Sequence, residues 1–431
     1  SVLLIEKSGH TCSFLKGDKT QTERRHHMST SLLYHGFGIV GYKYVSTRYE
    51  KGAIVFRIAE DRFSLRCPKC RSRKIIRRGK KLRRFRTIPI GAKPVFIEIE
   101  IQRVFCFACQ VVRQVKLAFA KCRRSYTRAF ERYVLDLSRF MTIADIARHL
   151  DVSWDTIKDI QKRYLLKRHG RPSLKNIDCI AIDEISIGKG HRYLTVVLNL
   201  KTGAVLFVGD GKGAEALAPF FKRLRRSKAS VKAVAIDMSP AYIAAVLENL
   251  PDASIVFDRF HVIKMYNDKL SNLRRSLYNQ TKGVLAKEVL KGTRWLLLKN
   301  PENLDSQKNE HQRLQEALKI NEPLATAYYL KEELRLFWEQ PNKAAAEDFL
   351  NHWIAKAESS KIRMLVKFAK TLRAHKFGLL GFYDYPISTG PLEGTNNKIK
   401  TLQKQAYWFR DRLFFKLKIY ALHETKYALV G

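Results

Sequence analysis

Read as a pattern of apolar and polar positions, the chain changes period several times. Residues 42 to 66 predict a hairpin, with Tyr42, Tyr44 and Val45 before a Glu50-Lys51-Gly52 turn and Ala53 to Ile58 after it. Val95 to Ile101 alternates as a strand and leads into Cys106. Residues 142 to 164 predict two short helices whose inward positions are Ile146, Ala147, Leu150, Val152 and Ile157. Thr142 and Asp145 resemble a capping box on the first helix, and Ser153 caps the second. From 178 the pattern becomes strands separated by helices. Strands are expected over 178 to 182, ending at Asp183, and over 193 to 200 and 204 to 208. A helix over 214 to 224, a strand over 231 to 236 ending at Asp237, a helix over 241 to 250 and a strand over 254 to 257 follow. Helical patterning then takes over: 264 to 290, 307 to 319, 324 to 339, 343 to 356 and 360 to 374, interrupted at Pro301, Pro323 and Pro341.

Three strands, a helix, a strand, a helix and a strand is the order of the RNase H-like fold, in which the first and fourth strands are neighbours. That adjacency brings Asp183 and Asp237 together. The helices after 262 do not continue the sheet and read as an all-α insertion. Beyond it, Ile387 to Lys400 opens a helix that puts Glu393, Asn397 and Lys400 on one face.

A chain of 431 residues has material for about two to four domains. Its 81 Lys and Arg against 40 Asp and Glu give a formal charge of +41, which points to a polyanion as partner. Nucleic acid fits better than a membrane surface, because no apolar run approaches the roughly 18 residues of a spanning helix. The charge clusters: from Arg62 to Arg86 about every second residue is Lys or Arg, and none is acidic. Seven cysteines, an odd number, fit a reducing compartment. Residues 1 to 27, before Met28, read as an upstream extension.

Four of the cysteines form the pairs Cys67/Cys70 and Cys106/Cys109, each expected at a strand end. Four thiolates suit tetrahedral structural zinc and leave no open catalytic position. The gap between the pairs exceeds the common spacing of about 15 to 20, so a looped-out segment is expected. The 142 to 164 pattern is that of a helix-turn-helix, with Asp151 in the turn. Its second helix would offer Trp154, Asp155, Thr156, Lys158, Asp159 and Lys162 to a major groove. An ordinary helical hairpin is the plainer alternative. Asp183, Asp237 and Glu393 together can hold two divalent cations about one phosphate, and magnesium suits such hard oxygen ligands. Glu184, Asp210 and Asp258 are rival ligands. His261, in Asp258-Arg-Phe-His261, supports the site or packs, while Asn397, Lys398, Lys400 and Lys404 are candidate phosphate contacts.

These motifs resemble those of the ISL3-type DDE transposases of bacterial insertion sequences, from Met28 to the C-terminus. The specific matches are Cys67-Pro-Lys-Cys70, Cys106 to Cys109, Ala181-Ile-Asp183-Glu with Lys189-Gly-His-Arg-Tyr193, Ala235-Ile-Asp237-Met, Asp258-Arg-Phe-His261 and Gly390-Pro-Leu-Glu393-Gly-Thr-Asn-Asn397-Lys-Ile-Lys400. The resemblance implies Asp183, Asp237 and Glu393 as catalytic triad with magnesium or manganese. It also implies action on the double-stranded terminal inverted repeats of the element and on target DNA. Similar enzymes cut with water and then join the freed 3′ hydroxyl. One departure is Trp408, where relatives commonly have Gly; it bears on the local turn and touches no triad residue.

The expected organisation is an extension over 1–27, a zinc ribbon over 28–120 and a helix-turn-helix over 121–175. An RNase H-like core over 176–261 follows, then a helical insertion over 262–385, and the core is completed over 386–431. The expected protein is a transposase of the bacterial cytoplasm, at the nucleoid, working as a dimer or higher on DNA. The rivals are a DNA-binding regulator or inactive relic, and an RNase H-like nuclease that never joins strands.

Overall fold

The computed structural model describes residues 32–281 and 283–422. The expected extension over 1–27, with Cys12, lies outside the described residues. The chain divides into two compact units between Tyr133 and Val134.

The first unit opens with α1 (Leu32–Phe37), then β1 (Tyr42–Glu50), β2 (Ala53–Glu60), β3 (Ile75–Ile90), β4 (Lys93–Cys106) and β5 (Val111–Gln114). Helix α2 (Arg128–Leu137) carries the chain into the second unit. The strands form one sheet in the order β1-β2-β4-β3, with β5 also on β4. Alternation decides its faces. Ile54, Phe56 and Ile58 of β2 and Val95, Ile97, Ile99 and Ile101 of β4 are buried together with Leu33, Phe37 and Phe119. Each such β4 side chain contributes at most about 3 kcal/mol by leaving water.

The opposite face of β4 is ionic. Glu98, only 4% exposed, accepts hydrogen bonds from Arg48 at 2.7 Å and Arg84 at 3.3 Å. The guanidinium groups of Arg84 and Arg86 lie over the Phe96 ring. The looped-out segment expected between the cysteine pairs is absent among these residues. The gap is filled by β3 running antiparallel to β4 from Ile75↔Cys106 to Ile90↔Lys93. Its outer half, Arg77 to Leu82, is exposed and mostly cationic, so no apolar alternation marked it as a strand.

In the second unit α3 (Ile143–Leu150) and α4 (Trp154–His169) come first. Thr142 and Ser153 cap them by accepting from the amides of Asp145 and Thr156, and Asp151 takes the left-handed turn at φ +49°. The sheet comprises β6 (Cys179–Gly188), β7 (Arg192–Asn199), β8 (Val205–Asp210), β9 (Ala233–Ile236) and β10 (Ser254–Phe257), ordered β10-β9-β6-β7-β8. β6, β9 and β10 are parallel, and β7 and β8 antiparallel. Helices α5 (Ala214–Ser227) and α6 (Pro240–Asn249) pack on one face with Ile180, Ile182, Val234 and Ile236.

Strand β6 does not stop at Asp183 as expected. It pairs with β7 as far as Gly188↔Arg192, because Ile185 and Ile187 continue the apolar alternation past the acid. Only the parallel pairing with β9 stops short, at Ala181↔Ala235.

The helices that follow are α7 (Arg259–Gln280), α8 (Val284–Gly292), α9 (Arg294–Leu298), α10 (Glu310–Ile320), α11 (Glu322–Arg335), α12 (Lys343–Ser359), α13 (Arg363–Ala374) and α14 (Lys376–Asp384). The single helix expected over 264 to 290 is thus two, with Thr281 closing α7 and Gly283 opening α8. Their apolar residues join the α5/α6 face of the sheet in one continuous core. Helix α14 lies on β10, and Gly378 and Gly381 permit it: a Cβ on either would strike the Phe257 ring or the Ile255 carbonyl. The chain ends in α15 (Gly390–Gln405) and α16 (Arg412–Ala421). Leu392, Ile399, Leu402, Phe415 and Ile419 cover the other face of the sheet, where Ala181, Ile185, Val196 and Ala235 point.

Candidate functional site

In the first unit, Cys67 and Cys70 lie in the turn before β3, while Cys106 ends β4 and Cys109 sits in the turn before β5. The β3–β4 pairing brings the two knuckles together, and the four sulfurs all lie within 4.8 Å of one another. Tetrahedral Zn–S bonds of 2.3 Å imply S···S separations of about 3.8 Å, and Cys70 Sγ and Cys106 Sγ are 3.5 Å apart. The donor set fits zinc. Amides of Cys70 and Lys69 directed at Cys67 bring its thiol down to about 6. The Cys70 sulfur beside Cys109 holds that thiol up at about 12, and burial raises Cys106. Anionic sulfurs this close repel unless a cation joins them.

In the second unit, Trp154 is exposed at the start of α4, and the Thr156 hydroxyl lies 2.8 Å from that of Ser153. Lys158 and Lys162, expected in a major groove, reach Asp411 at 3.4 and 2.7 Å, on the cap of α16. Burial would raise the Asp411 carboxyl, but Lys162 and the Phe414 amide outweigh it and bring it to about 2. Asp155 and Asp159 stay exposed on the free face of α4.

Two of the acids stand where β6 and β9 part. Ala181 pairs with Ala235, so Asp183 and Asp237, two residues on in each chain, are level and share a face of the pleat. Phe257 pairs with Ile236, which puts Asp258 level with Asp237, each directly after its strand. Asp183 Oδ1 accepts from the Glu184 amide at 2.8 Å, and Asp237 Oδ1 from the Ser239 amide at 3.0 Å. Burial lifts the Asp183 carboxyl to about 6. The Glu184 amide and nearby His261 pull it down, while the charges of Asp237 and Glu184 push it up.

Glu393 enters from the first turn of α15 and is exposed, as are Asn397, Lys398, Lys400 and Lys404 further along that helix. Among the described residues only the four thiols are gathered at metal-holding distance; the three carboxylates do not converge on one point.

The rival acids are otherwise engaged. Glu184 accepts from the Tyr242 hydroxyl at 3.2 Å, and Asp210 pairs with Lys416 at 2.7 Å. Asp258, 4% exposed, accepts from the Thr389 amide at 3.3 Å and so ties down the start of α15.

The residue that sequence reasoning missed is Asn396. It is 7% exposed, and its Nδ2 donates to Asp183 Oδ2 at 2.9 Å. Its Oδ1 is buried without a hydrogen-bond partner. Leu392, Asn396 and Ile399 recur at helical spacing on the buried stripe of α15, and that periodicity was the available signal.

Comparison with known proteins agrees with this layout. Residues 180–419 match a family profile described as a transposase, of the ISL3 DDE type. Residues 115–165 match the helix-turn-helix domain of transposase family ISL3, and 64–109 the zinc-finger of transposase IS204/IS1001/IS1096/IS1165. The transposase of insertion sequence element IS1001 from Bordetella parapertussis is 35% identical over 79% of this chain and 84% of its own length. That of IS1557 from Mycobacterium tuberculosis is 29% identical over 80% and 83%. The Drosophila P element transposase strand transfer complex aligns with 71% of this chain and 94% of that chain at TM-score 0.37 and 11% identity, too distant to carry an argument.

The zinc-finger match and the four gathered thiols support a structural zinc, and the helix-turn-helix match supports DNA binding. No helix among the described residues is long and apolar enough to cross a membrane. With its transposase, helix-turn-helix and zinc-finger segments in chain order, and a relative matched along most of both lengths, the chain belongs to the ISL3 family of insertion-sequence transposases, and it is a DNA transposase.

Proposed function

We propose that the chain binds the terminal inverted repeats of its element and that Asp183, Asp237 and Glu393 cut those ends and join them to target DNA. The observation that carries this reading is the level placement of Asp183 and Asp237 where the parallel strands β6 and β9 part, with α15 hydrogen-bonded to Asp183 through Asn396. In this reading the sheet with α15 and α16 is an RNase H-like core, and α7 to α14 are its insertion.

The donors suit magnesium or manganese: three carboxylates and the unpartnered Asn396 Oδ1 are all hard oxygens. Held by these residues, such ions would supply activation of the attacking hydroxyl and charge stabilisation at the leaving oxygen. The protein's own part is positional. Asn396 and the Glu184 amide fix both oxygens of Asp183, the Ser239 amide fixes Asp237, and Asp258 fixes the start of the helix that presents Glu393. His261 lies near Asp183 and offsets part of the burial that raises its carboxyl. Asn397, Lys398, Lys400 and Lys404 face solvent beyond Glu393, where a DNA phosphate would meet them. At the other end of the site, Trp154 and Thr156 open the reading helix. One active site at each element end makes a multimer the natural arrangement, so we expect at least a dimer on DNA, in the bacterial cytoplasm.

The test is incubation with labelled element-end duplex, target DNA and magnesium. Joined products support transposition, cleavage without joining supports a nuclease, and binding alone supports a regulator. Asp237→Asn should bind ends and cut nothing; retained cutting would remove the triad assignment.

A further inference from the structure

Between α15 and α16 the chain does something costly. Helix α15 ends in a Schellman arrangement: the Trp408 amide donates to the Gln403 carbonyl at 3.1 Å and the Tyr407 amide to that of Lys404 at 3.2 Å. The left-handed position of that motif favours glycine. Here Tyr407 has φ +46° and Trp408 φ +79°. Left-handed backbone costs a bulky side chain on the order of 1 kcal/mol or more. Burial does not offset it, since Tyr407 is 91% and Trp408 63% exposed.

Both rings line a cleft of about 500 Å³ with Trp154, Lys158 and Arg410. On its other side Trp408 lines a second cavity with Arg192, Arg410 and Arg412. Among the described residues the one acid in the cleft wall, Asp411, is already neutralised by Lys158 and Lys162. The site is therefore aromatic and cationic together, and a nucleotide is the ligand with the complementary pair of properties.

We propose that this cleft stacks an unpaired DNA base, with Trp408 and Tyr407 as the platform and Arg410 holding the adjoining phosphate. The proposal rests on the DNA-acting reading above and adds a single-stranded segment to its substrate. The cleft is coupled to the acid site through β6, since Gln403 donates to the Ile187 carbonyl at 3.2 Å and Trp408 lies beside Gly188. Helix α15 rises about 1.5 Å per residue, which puts Trp408 about 20 Å from Glu393. That span is roughly six base steps of duplex at 3.4 Å, and fewer nucleotides of an extended single strand, so the cleft lies within reach of a strand held at the acids.

The experiment uses the full chain and an oligothymidylate carrying one 2-aminopurine, whose emission falls when it stacks on an indole. Wild type should bind and quench. Trp408→Gly should bind about 5- to 100-fold more weakly without quenching, and Trp408→Phe should recover most of the affinity. Folding is monitored by thermal unfolding, where Trp408→Gly should match or exceed wild type because glycine relieves the left-handed strain. Equal affinity and quenching in Trp408→Gly overturns the proposal, as does wild-type binding without quenching. If wild type binds a duplex of the same length but not the single strand, the stacking site alone falls. If it binds neither, the DNA-acting reading fails and takes this one with it.

Discussion

Asn396 on α15 donates from Nδ2 to Oδ2 of Asp183 on β6 at 2.9 Å, across 213 positions of sequence. The bond does for the carboxylate what an outer-shell partner does for a metal ligand, fixing the oxygen that would face a cation. Asn396→Ala should weaken magnesium binding and slow end cleavage by about 10- to 100-fold. Calorimetric titration with magnesium and cleavage of labelled end DNA measure the two. Unchanged magnesium affinity would leave Asn396 only a packing role.

Asp183 has a folded pKa of about 6, above its usual value, so the folded state prefers the protonated acid. The sign follows: this group favours folding most below about pH 4, and the advantage is lost as pH rises through 6. Asp183→Asn should therefore stabilise the metal-free protein above pH 7, by at most about 3 kcal/mol, and should give no gain near pH 4. Urea denaturation in the presence of a chelator reads this directly. No gain at high pH would mean that the charged carboxylate is well solvated.

The purified chain should carry one zinc, released by a strong chelator with loss of structure in the first unit. With Cys67 low at about 6 and Cys109 high at about 12, binding expels protons, and zinc affinity should rise with pH. Cys106→Ser should lose the metal and become sensitive to protease around β3. Elemental analysis of wild type and variant decides it, and a metal-free wild type that resists protease would refute the structural role.

Asp411 caps α16 through the Phe414 amide and holds Lys158 and Lys162. Its carboxyl is depressed to about 2, so its contribution is present above about pH 4 and lost as pH falls towards 2. Asp411→Ala should cost about 1–2 kcal/mol at pH 7 and progressively less in acid. A penalty that is the same at both ends of that range would leave the cap alone responsible and the lysines idle.

Much of this was legible in the residues. The helix boundaries around Asp151 and the strand over 254 to 257 follow from caps and alternation that local chemistry fixes. The cysteine pairs and the level placement of Asp183 and Asp237 follow from spacing and strand order. Features whose cause is tertiary were hidden. Strand β3 carries cations where a strand usually shows apolar residues, because β4 supplies the core for both. Helix α14 looks broken by Gly378 and Gly381 until β10 is seen lying against them. Asn396 reads as one of two adjacent amides, and only the burial of its side of α15 tells it from Asn397. Lys158 and Lys162 read as surface cations because Asp411, their partner, is remote in sequence.

That pairing also has a geometric result. Helix α4 is bolted through Asp411 to α16, which packs with α15 on the face of the sheet that carries Asp183 and Asp237. On the proposed reading, in which α4 reads base pairs and those acids cut, the protein would carry its own ruler. The interval between the sequence read and the phosphate cut is then set by the length of the protein scaffold, and the DNA between them can vary freely in sequence but not in length.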